Sequence, residues 1–501
     1  MHLLLLTLAM GLTTGFTEAQ PKPNIIFIIA DDLGYGDLGC YGQKIIRTPN
    51  LDRMAAEGMR LTRHYSGNAV CAPSRCVLMT GKHPGHAFIR DNKQFKPMEE
   101  GQYPIPTETI TLAKLFLQQG YATGGFGKWG LGGPGTTGEP LKQGFTRWFG
   151  YNCQAVAHNF YPTYLWDNDR KVSLKNTAFS AQGKLKADED PNDPKSYARF
   201  KGSDYSADLI NEQALAFIKQ NKDKPFFCYV PTTVPHVALQ VPDEALKEYE
   251  GKFEDAPYVG GKGYLPHMKP KAAYAAMVTR MDRDIGRMMT LVKDLGIDEK
   301  TIFVFTSDNG PLSGTHQGLA GTDARFFDSS AGLRDGKGTL YEGGFRVPGI
   351  VRWKGKIAPG QTSDRVTGFE DWIPTLMELS NSSNIVPKDA DGISFAPTLL
   401  GNKQEERPFL YREFPGYGGQ SAVIMGKWKG IKQKMNQGRN QLELYDLSAD
   451  PRETTDVASN NPDIIAKIEK IMRDQHSASR EFPLPMVDFD PKKNPMNKKK
   501  S

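Results

Sequence analysis

Cysteine is scarce in this sequence, and long hydrophobic segments are absent. The 501 residues contain five cysteines, at positions 40, 71, 76, 153 and 228. An odd number at this low density excludes a scaffold built on disulfides. No run of 18 apolar residues occurs, so a stable membrane anchor is not expected. Internal repeats are also missing, and these absences together leave a soluble globular protein as the expectation.

A charge excess spread over the whole chain is lacking as well. The net charge is +6, but residues 491–501 alone contain five lysines and no acid. A short lysine-rich end is usually solvated, so nucleic acid is not an expected partner. The composition is 39% hydrophobic and 24% charged. That balance excludes disorder, collagen and coiled coil for the bulk of the chain.

The N-terminus has the pattern of a cleavable signal peptide. The apolar run Leu3–Leu12 is followed by small and polar residues up to Gln20, and it is too short to cross a bilayer. We expect residues 1–19 to be removed and the mature protein to be exported, either to a periplasm or out of the cell.

The order of the predicted elements indicates an α/β fold. Strands are predicted over residues 24–30, 121–126, 225–230 and 301–306, and helices over residues 48–59, 107–119, 205–220 and 272–295. Strands and helices that alternate in this way form a mostly parallel central sheet flanked by helices. We expect this large domain to cover residues 22–385.

The pattern changes after about residue 385. Short antiparallel strands are predicted over 421–428 and 442–447, and one helix over 461–475. We therefore expect a small C-terminal α+β subdomain over residues 386–480. A basic tail over residues 481–501, rich in proline, lysine and asparagine, is expected to lack fixed structure.

Acidic residues follow two of the apolar strands. Asp31 and Asp32 come directly after the first strand, and Asp308 and Asn309 follow the strand at 301–306. In open α/β sheets ligands bind beyond the carboxyl ends of the strands, so these side chains are expected to converge. Three carboxylates and one amide oxygen form a ligand shell that suits Ca²⁺ or Mg²⁺.

The stretch from Cys71 to Gly81 has the sequence CAPSRCVLMTG. Proline at an early position indicates the start of a helix. A lone cysteine in an exported protein is usually half of a disulfide. A thiolate phosphatase loop is excluded, because Arg75 follows Cys71 more closely than that loop allows.

This stretch resembles the sulfatase signature C-x-P-S-R-x(4)-T-G, in which the cysteine becomes formylglycine (3-oxoalanine). Further blocks of the same family occur in the expected order, at Gly127–Trp129, Pro235–His236, Ser307–Gly310, Gly336–Thr339 and Tyr341–Gly344. Several ordered blocks are far more specific than one motif. The chain is similar to the formylglycine-dependent type I sulfatases of the alkaline-phosphatase-like superfamily, on the arylsulfatase A and N-acetylgalactosamine-sulfatase branch.

The resemblance implies a role for each matching residue. Formylglycine made from Cys71 by a formylglycine-generating system would be the nucleophile, as its hydrate. One Ca²⁺ per chain would be bound by residue 71 together with Asp31, Asp32, Asp308 and Asn309. By the same resemblance, Arg75 would position the aldehyde hydrate. Lys128 and Lys337 would bind the sulfate oxygens, and His236 would contact the ester oxygen. Asp308 would also accept the proton of the attacking hydroxyl, and Lys337 would protonate the departing alcohol.

One block departs from the family pattern. Many relatives read G-K-W-H, with a histidine that helps to regenerate the nucleophile, whereas this chain has Gly130 at that position. His83 and His316 are the candidates to replace it. Arg90 and Asn92, which follow the signature helix, are candidates to hydrogen-bond sugar hydroxyls.

The expected activity is hydrolysis of a sulfate monoester, on a sulfated carbohydrate or an aryl sulfate. Two alternatives remain open. A phosphate or phosphonate ester hydrolase of the same superfamily would use similar charge compensation, although more cations or a second metal would suit a phosphate better. A non-catalytic glycan-binding relative could retain the scaffold without the chemistry.

Overall fold

The computed structural model describes residues 22–94, 100 and 102–488. The predicted signal peptide and most of the predicted tail lie outside these residues. The larger sheet contains β1 (Asn24–Ala30), β2 (Met59–Tyr65), β3 (Ala122–Lys128), β4 (Arg147–Tyr151), β5 (Tyr164–Asp167), β6 (Arg170–Ser173), β7 (Phe226–Pro231), β8 (Thr301–Ser307), β9 (Arg346–Trp353), β10 (Gln361–Ser363) and β11 (Thr367–Gly368). The smaller sheet contains β12 (Leu410–Phe414), β13 (Gln420–Met425), β14 (Trp428–Lys432) and β15 (Leu442–Asp446).

The helices flank these sheets. They are α1 (Pro49–Ala56), α2 (Cys71–Thr80), α3 (Leu112–Gln118), α4 (Ser206–Gln220), α5 (Asp243–Leu246), α6 (Pro270–Asp294), α7 (Ala324–Phe327), α8 (Glu342–Phe345), α9 (Trp372–Leu379), α10 (Ala396–Leu399), α11 (Pro462–Gln475) and α12 (Pro485–Asp488). None of the helices in the described ranges is both long enough and apolar enough to cross a bilayer.

The centre of the larger sheet is parallel. Strand β1 lies between β7 and β8 and pairs in parallel with both. All seven residues of β1 are buried, as expected for a strand covered on both faces. Antiparallel strands, including β9 beside β8, extend the sheet outward. The predicted mostly parallel α/β sheet is therefore confirmed.

The side chains of β1 alternate between two hydrophobic cores. Ile26 and Ile28 belong to the core that includes residues of α4 and α6. Phe27 and Ile29 belong to the core that includes residues of α2, α3 and α9. Because successive side chains of a strand point to opposite faces, one apolar run serves both layers of helices. This three-layer packing fixes where the carboxyl ends of β1 and β8 lie.

The smaller sheet is antiparallel throughout, with strands in the order β12-β13-β14-β15. Helix α11 packs on it through Ile468 and Met472, which join Val423 and Leu444 in one core. The predicted C-terminal α+β region with an antiparallel sheet is confirmed.

Local boundaries differ from the predictions in three places. The helix predicted from residue 107 begins at Leu112, because Thr111 accepts a hydrogen bond from the Lys114 N–H and caps it there. The strand predicted over 421–428 is a hairpin, β13–β14, that turns at Gly426 with φ of 58°. In the predicted tail, Phe482 and Leu484 are buried, so the absence of structure expected from residue 481 is wrong for 481–488.

Candidate active site

The ends of β1 and β8 bring the two acidic pairs together. Ala30 and Ser307 are register partners, so the residues that follow them emerge side by side. The Asp32 N–H donates to Asp308 Oδ1 at 3.2 Å, and Asn309 Nδ2 donates to Asp32 Oδ1 at 2.8 Å. The convergence expected from strand topology is present.

Helix α2 delivers the cysteine and the arginine of the signature to the same place. Cys71 is its first residue, and Cys71 Sγ lies 3.4 Å from Asp31 Oδ1. Arg75 follows one turn later and therefore shares a helix face with Cys71. Its Nε and Nη2 donate to Asp308 Oδ2 at 3.0 and 2.8 Å. Arg75 thus orients Asp308 beneath the cysteine.

Two lysines approach the cysteine from other elements. Lys128 ends β3, and its Nζ lies 2.7 Å from Asp31 Oδ2 and 3.7 Å from Cys71 Sγ. Lys337 Nζ lies 2.8 Å from Asp32 Oδ2 and 3.6 Å from Cys71 Sγ. An anion attached to residue 71 would therefore meet two ammonium groups.

His236 completes this cluster. Its Nδ1 donates to the Val237 carbonyl, so Nε2 carries the free lone pair of the neutral ring. That Nε2 lies 3.6 Å from Asp32 Oδ2. One side-chain ligand atom each from Asp31, Asp32, Cys71 and His236 lies within 4.8 Å of all the others.

Burial and charge act together on the titration of the cluster. Burial alone would raise the pKa of Asp31, but Lys128, His236 and Arg75 hold it well below its usual range. Burial and the charge of Asp31 raise the pKa of Asp308 to about 6. Burial also raises the pKa of the Cys71 thiol to about 12. An unmodified thiol here stays protonated near neutral pH.

The donor set fits a hard cation. Asn309 is fully buried, and its Oδ1 has no hydrogen-bond partner in the described structure. A buried amide oxygen without a partner is costly unless something supplies positive charge. Together with the carboxylates of Asp31, Asp32 and Asp308 it offers the oxygen ligands that Ca²⁺ prefers.

The structure separates His83 from this site. It lies beyond the C-terminal end of α2, about 15 Å of helix from Cys71. Its Nδ1 accepts from the Gly85 N–H at 3.2 Å, and its Nε2 lies 3.0 Å from Gln475 Oε1. Its Nε2 is therefore used in a contact with α11, and its Nδ1 in a contact within its own segment. The predicted role of His83 at the active site is wrong.

Arg90 is likewise structural. It is 4% exposed, and its guanidinium donates to Glu413 Oε1 at 2.6 Å and to the carbonyl and hydroxyl oxygens of Ser477. These donors link the larger domain to the C-terminal region and leave Arg90 unable to bind sugar, because a buried charge cannot leave its partners cheaply. The prediction for Arg90 is therefore corrected.

Asn92 and His316 lie near residues of the site, and their predicted roles stay predictions. The exposed Asn92 accepts from the Ala72 N–H at 2.9 Å, directly beside Cys71. His316 is half-buried, and its ring meets Tyr417 edge-on at 5.4 Å. Burial and the nearby Lys337 lower the pKa of His316. Both residues border the opening rather than its base.

Two further aromatic rings at the site escaped the sequence analysis. The ring of His158 stacks on His236, with centroids 4.6 Å apart and planes 8° apart. Tyr264 meets His158 edge-on at 5.3 Å. Burial, with the charges of His236 and Lys128, lowers the pKa of His158 well below its usual value. The only signal for His158 was its position in an aromatic-rich segment.

The glycine at position 130 is explained by a neighbour. Gly130 has φ of 88°, and a Cβ there would approach Gln154 Nε2 to 2.5 Å. Gln154 is 5% exposed and fills the space that a side chain at 130 would need. A histidine at 130 would be both strained and obstructed.

Comparisons with known proteins agree with this geometry. A family model described as Sulfatase matches residues 23–382, and one described as N-sulphoglucosamine sulphohydrolase, C-terminal, matches residues 331–480. Human arylsulfatase A is 32% identical and aligns over 93% of this chain and 90% of its own length. The N-acetylgalactosamine-6-O-sulfatase of Bacteroides thetaiotaomicron is 29% identical over 91% of this chain and 93% of the relative.

Solved structures share the fold. A sulfatase structure from work on glycosaminoglycan metabolism by Bacteroides thetaiotaomicron has a TM-score of 0.70 and 28% identity, and covers 90% of this chain and 99% of its own. Ps i-CgsB in complex with k-i-k-neocarrahexaose has a TM-score of 0.71 at 24% identity, over 94% and 96% of the two chains.

Proposed function

Because this chain belongs to the sulfatase family, whose members are sulfuric ester hydrolases, we propose that it removes sulfate from glycans with a formylglycine made from Cys71 and one bound Ca²⁺. One observation carries the proposal: Cys71 Sγ lies within 3.7 Å of both Lys128 Nζ and Lys337 Nζ. A nucleophile at that point would act beside two ammonium groups that could bind the oxygens of a sulfate.

The residues around position 71 divide the work of ester cleavage. A formylglycine hydrate would supply two hydroxyls on one carbon, one to attack sulfur and the other to release sulfate afterwards. Lys128 and Lys337 bind the sulfate oxygens and offset the negative charge that grows as the S–O bond breaks. Lys337 is also placed to donate a proton to the departing alcohol oxygen.

Arg75 and His236 position these groups. Arg75 fixes the carboxylate of Asp308, which accepts the proton of the attacking hydroxyl. His236 keeps its Nδ1 proton on the Val237 carbonyl, and its Nε2 would hydrogen-bond the ester oxygen once it has taken up a proton. Fixed donors and acceptors of this kind need no rearrangement during the reaction.

The bound cation would be Ca²⁺, coordinated by residue 71 with Asp31, Asp32, Asp308 and Asn309. Its positive charge would add to that of the lysines next to the sulfate. The fit of the unpartnered Asn309 Oδ1 supports this assignment, since amide and carboxylate oxygens favour Ca²⁺ over softer metals.

His158 is the residue we assign to regeneration in place of a histidine at 130. Its ring stacks on His236 in the pocket, and because burial lowers its pKa, the ring is neutral and has a lone pair to accept a proton. Neither of its ring nitrogens is hydrogen-bonded to another described residue, which leaves one free to accept a proton from the hydroxyl that expels sulfate. His316 lies farther out, against Tyr417.

Mass spectrometry of the peptide that contains residue 71, after expression in a host that makes formylglycine, tests the nucleophile. We expect the mass of this peptide to be lower than that of the unmodified peptide, by the difference between the thiol of cysteine and the aldehyde of formylglycine. Unmodified cysteine in a fully active protein would contradict the proposal, and unmodified cysteine in an inactive one would favour a glycan-binding relative.

The ratio of kcat/KM for matched sulfate and phosphate monoesters tests the reaction. Preference for sulfate is expected, because the described residues offer one oxygen-rich metal site near Cys71. The phosphonate monoester hydrolase of Agrobacterium radiobacter has the same fold, with a TM-score of 0.62 at 18% identity. A large preference for phosphate would therefore move this chain to the alternative activity.

Export through a signal peptide over residues 1–19 is part of the proposal. N-terminal sequencing of the protein recovered from a periplasmic or culture fraction tests it. A mature chain that begins near residue 20 is expected, and an intact N-terminus in the cytoplasm would contradict export.

A further inference from the structure

A groove of about 1100 Å³ opens beside the active site. One wall includes His316 and Gly338, the residue directly after Lys337, and the other wall belongs to the C-terminal region, with Tyr417 and Gln433. Pockets for drug-sized ligands measure about 300–1,000 Å³. The groove is thus larger than one sugar needs, and it leads away from the sulfate-binding lysines.

Two residues of the groove hold unusual backbone conformations. Tyr417 and Lys434 have φ of 50° and 55°, a region that non-glycine residues seldom adopt and that is enriched at ligand sites. Their loops are tied together, because the Met435 N–H donates to the Gly419 carbonyl at 2.9 Å. The fold therefore maintains these two conformations side by side.

The strained loop exposes an aromatic ring. Tyr417 is 59% exposed, the largest fraction among the exposed large hydrophobic residues of the described chain. Its ring lies 5.4 Å from that of His316, and a Cβ on Gly338 would touch both rings. An exposed ring at the mouth of a sulfate pocket offers a flat apolar face for a sugar.

The lining of the groove also contains three acids, and each accepts hydrogen bonds within the fold. Glu443 accepts from the hydroxyls of Tyr341 and Tyr445 at 2.7 and 2.6 Å. Asp456 accepts from the Leu444 N–H at 3.0 Å. Asp335 accepts from the Gly336 N–H at 3.0 Å, so all three carboxylates already have hydrogen-bond partners in the fold.

The cations on the outer wall have no ion-pair partner among the described residues. Lys434 and Arg439 are exposed, and neither forms an ion pair with another residue in the described ranges. Both side chains line the groove. Lys434 and Arg439 are therefore positive charges that remain available to a ligand.

We propose that this groove is a second binding subsite, which receives a further anionic group of the glycan while the sulfate under attack occupies the pocket at Cys71. Lys434 and Arg439 pair with a sulfate or carboxylate on a neighbouring sugar, and Tyr417 stacks on the sugar between. The inference rests on the proposed function and adds to it that the substrate is an acidic oligosaccharide rather than a single sulfated sugar.

The test compares the double variant Lys434→Ala/Arg439→Ala with wild type on three substrates: 4-nitrophenyl sulfate, a sulfated tetrasaccharide with uronates, and one whose neighbouring sugars carry extra sulfates. KM for the acidic tetrasaccharides should rise about tenfold, the upper size expected for losing two exposed ion pairs together. The kcat values and all constants for the aryl sulfate should stay within about twofold. Whichever tetrasaccharide responds more identifies the anionic group.

The matched control is Lys403→Ala/Lys467→Ala, which removes two exposed lysines that do not line the groove. It should leave every KM unchanged. Tyr417→Ala should raise KM for both tetrasaccharides, and Tyr417→Phe should restore it, because only the ring face is needed.

Binding of the tetrasaccharides to Cys71→Ala protein, measured by titration calorimetry, separates the two proposals. If wild type cleaves aryl sulfate but Lys434→Ala/Arg439→Ala leaves tetrasaccharide KM and affinity unchanged, the subsite is refuted and the sulfatase proposal stands. If no sulfate ester is cleaved, the calorimetric difference between the variants still decides whether the groove binds the anion.

Discussion

The active centre and the neighbouring groove both contain cationic side chains, but those of the centre are buried and paired, whereas those of the groove are exposed and unpaired among the described residues. Lys128 is 1% exposed and Lys337 8% exposed, and both contact buried aspartates. Lys434 and Arg439 face solvent without partners among the described residues. Removing one partner of a buried pair leaves a charge uncompensated, whereas exposed charges contribute little individually. Substitutions in the active centre should therefore affect the turnover of every substrate. Substitutions in the groove should affect only acidic oligosaccharides.

The largest effect is expected for Cys71→Ala. It should lower kcat/KM by about 10⁴-fold or more for aryl and glycan sulfates alike, because the nucleophile is lost. The control is Cys76→Ala, a buried cysteine of the same helix that should lose stability and keep turnover. Residual cleavage by Cys71→Ala near the wild-type rate would refute covalent catalysis at this residue.

Removal of the metal should come next. Dialysis against a calcium chelator should abolish turnover of every substrate and lower the thermal midpoint, since a ligand that binds only the folded state stabilises it. Added Ca²⁺ should restore both. Asn309→Ala should weaken the Ca²⁺ dependence of the thermal midpoint, and an unchanged dependence in that variant would place the ion elsewhere.

His158→Ala should reduce steady-state turnover by about 10²-fold, the lower part of the range for an acid–base group. A rapid first turnover followed by slow cycling is expected, with a changed pH profile, because only sulfate release is impaired. His316→Ala and His83→Gln serve as controls. If either control, and not His158→Ala, produces the rapid first turnover and slow cycling, the base is assigned to the wrong ring.

A smaller effect concerns pH and a buried neutral histidine. Burial lowers the pKa of His64 to about 3, with Glu370 and Arg412 as the facing charges, so the fold favours the neutral ring. The stability that this neutral ring contributes is fully present above the unfolded-state pKa near 6.5, and it is lost as the pH falls below that value. Stability should decrease by about 2 kcal/mol between pH 8 and pH 5 from this group. Thermal midpoints of His64→Gln should fall less over that interval, and an equal decrease would assign the acid sensitivity to other groups.

The elements that could be predicted are those whose signal lies within a few residues. Asp31 and Asp308 follow apolar strands, and the general rule for strand ends is enough to bring them together. Cys71 and Arg75 are one helical turn apart, so their shared face follows from spacing alone.

The elements that escaped prediction depend on contacts between distant segments. Nothing near His158 indicates that its ring will stack on His236. Arginine usually lies at the surface, and only the structure shows that Arg90 is buried and paired with Glu413. The groove arises from two loops whose approach depends on hydrogen bonds between residues 418–419 and 435–436, which no local pattern encodes.

The complete burial of α2 has a consequence for how the protein matures. Cys71 is 1% exposed, and every residue of its helix is buried, so no modifying enzyme could grasp this segment in the finished molecule. The proposed oxidation must therefore happen while the segment is still extended, before the sheet closes over it. The fraction of active molecules then depends on the rate of the modification relative to the rate of folding. A variant that folds faster would be recovered from the cell folded but less active.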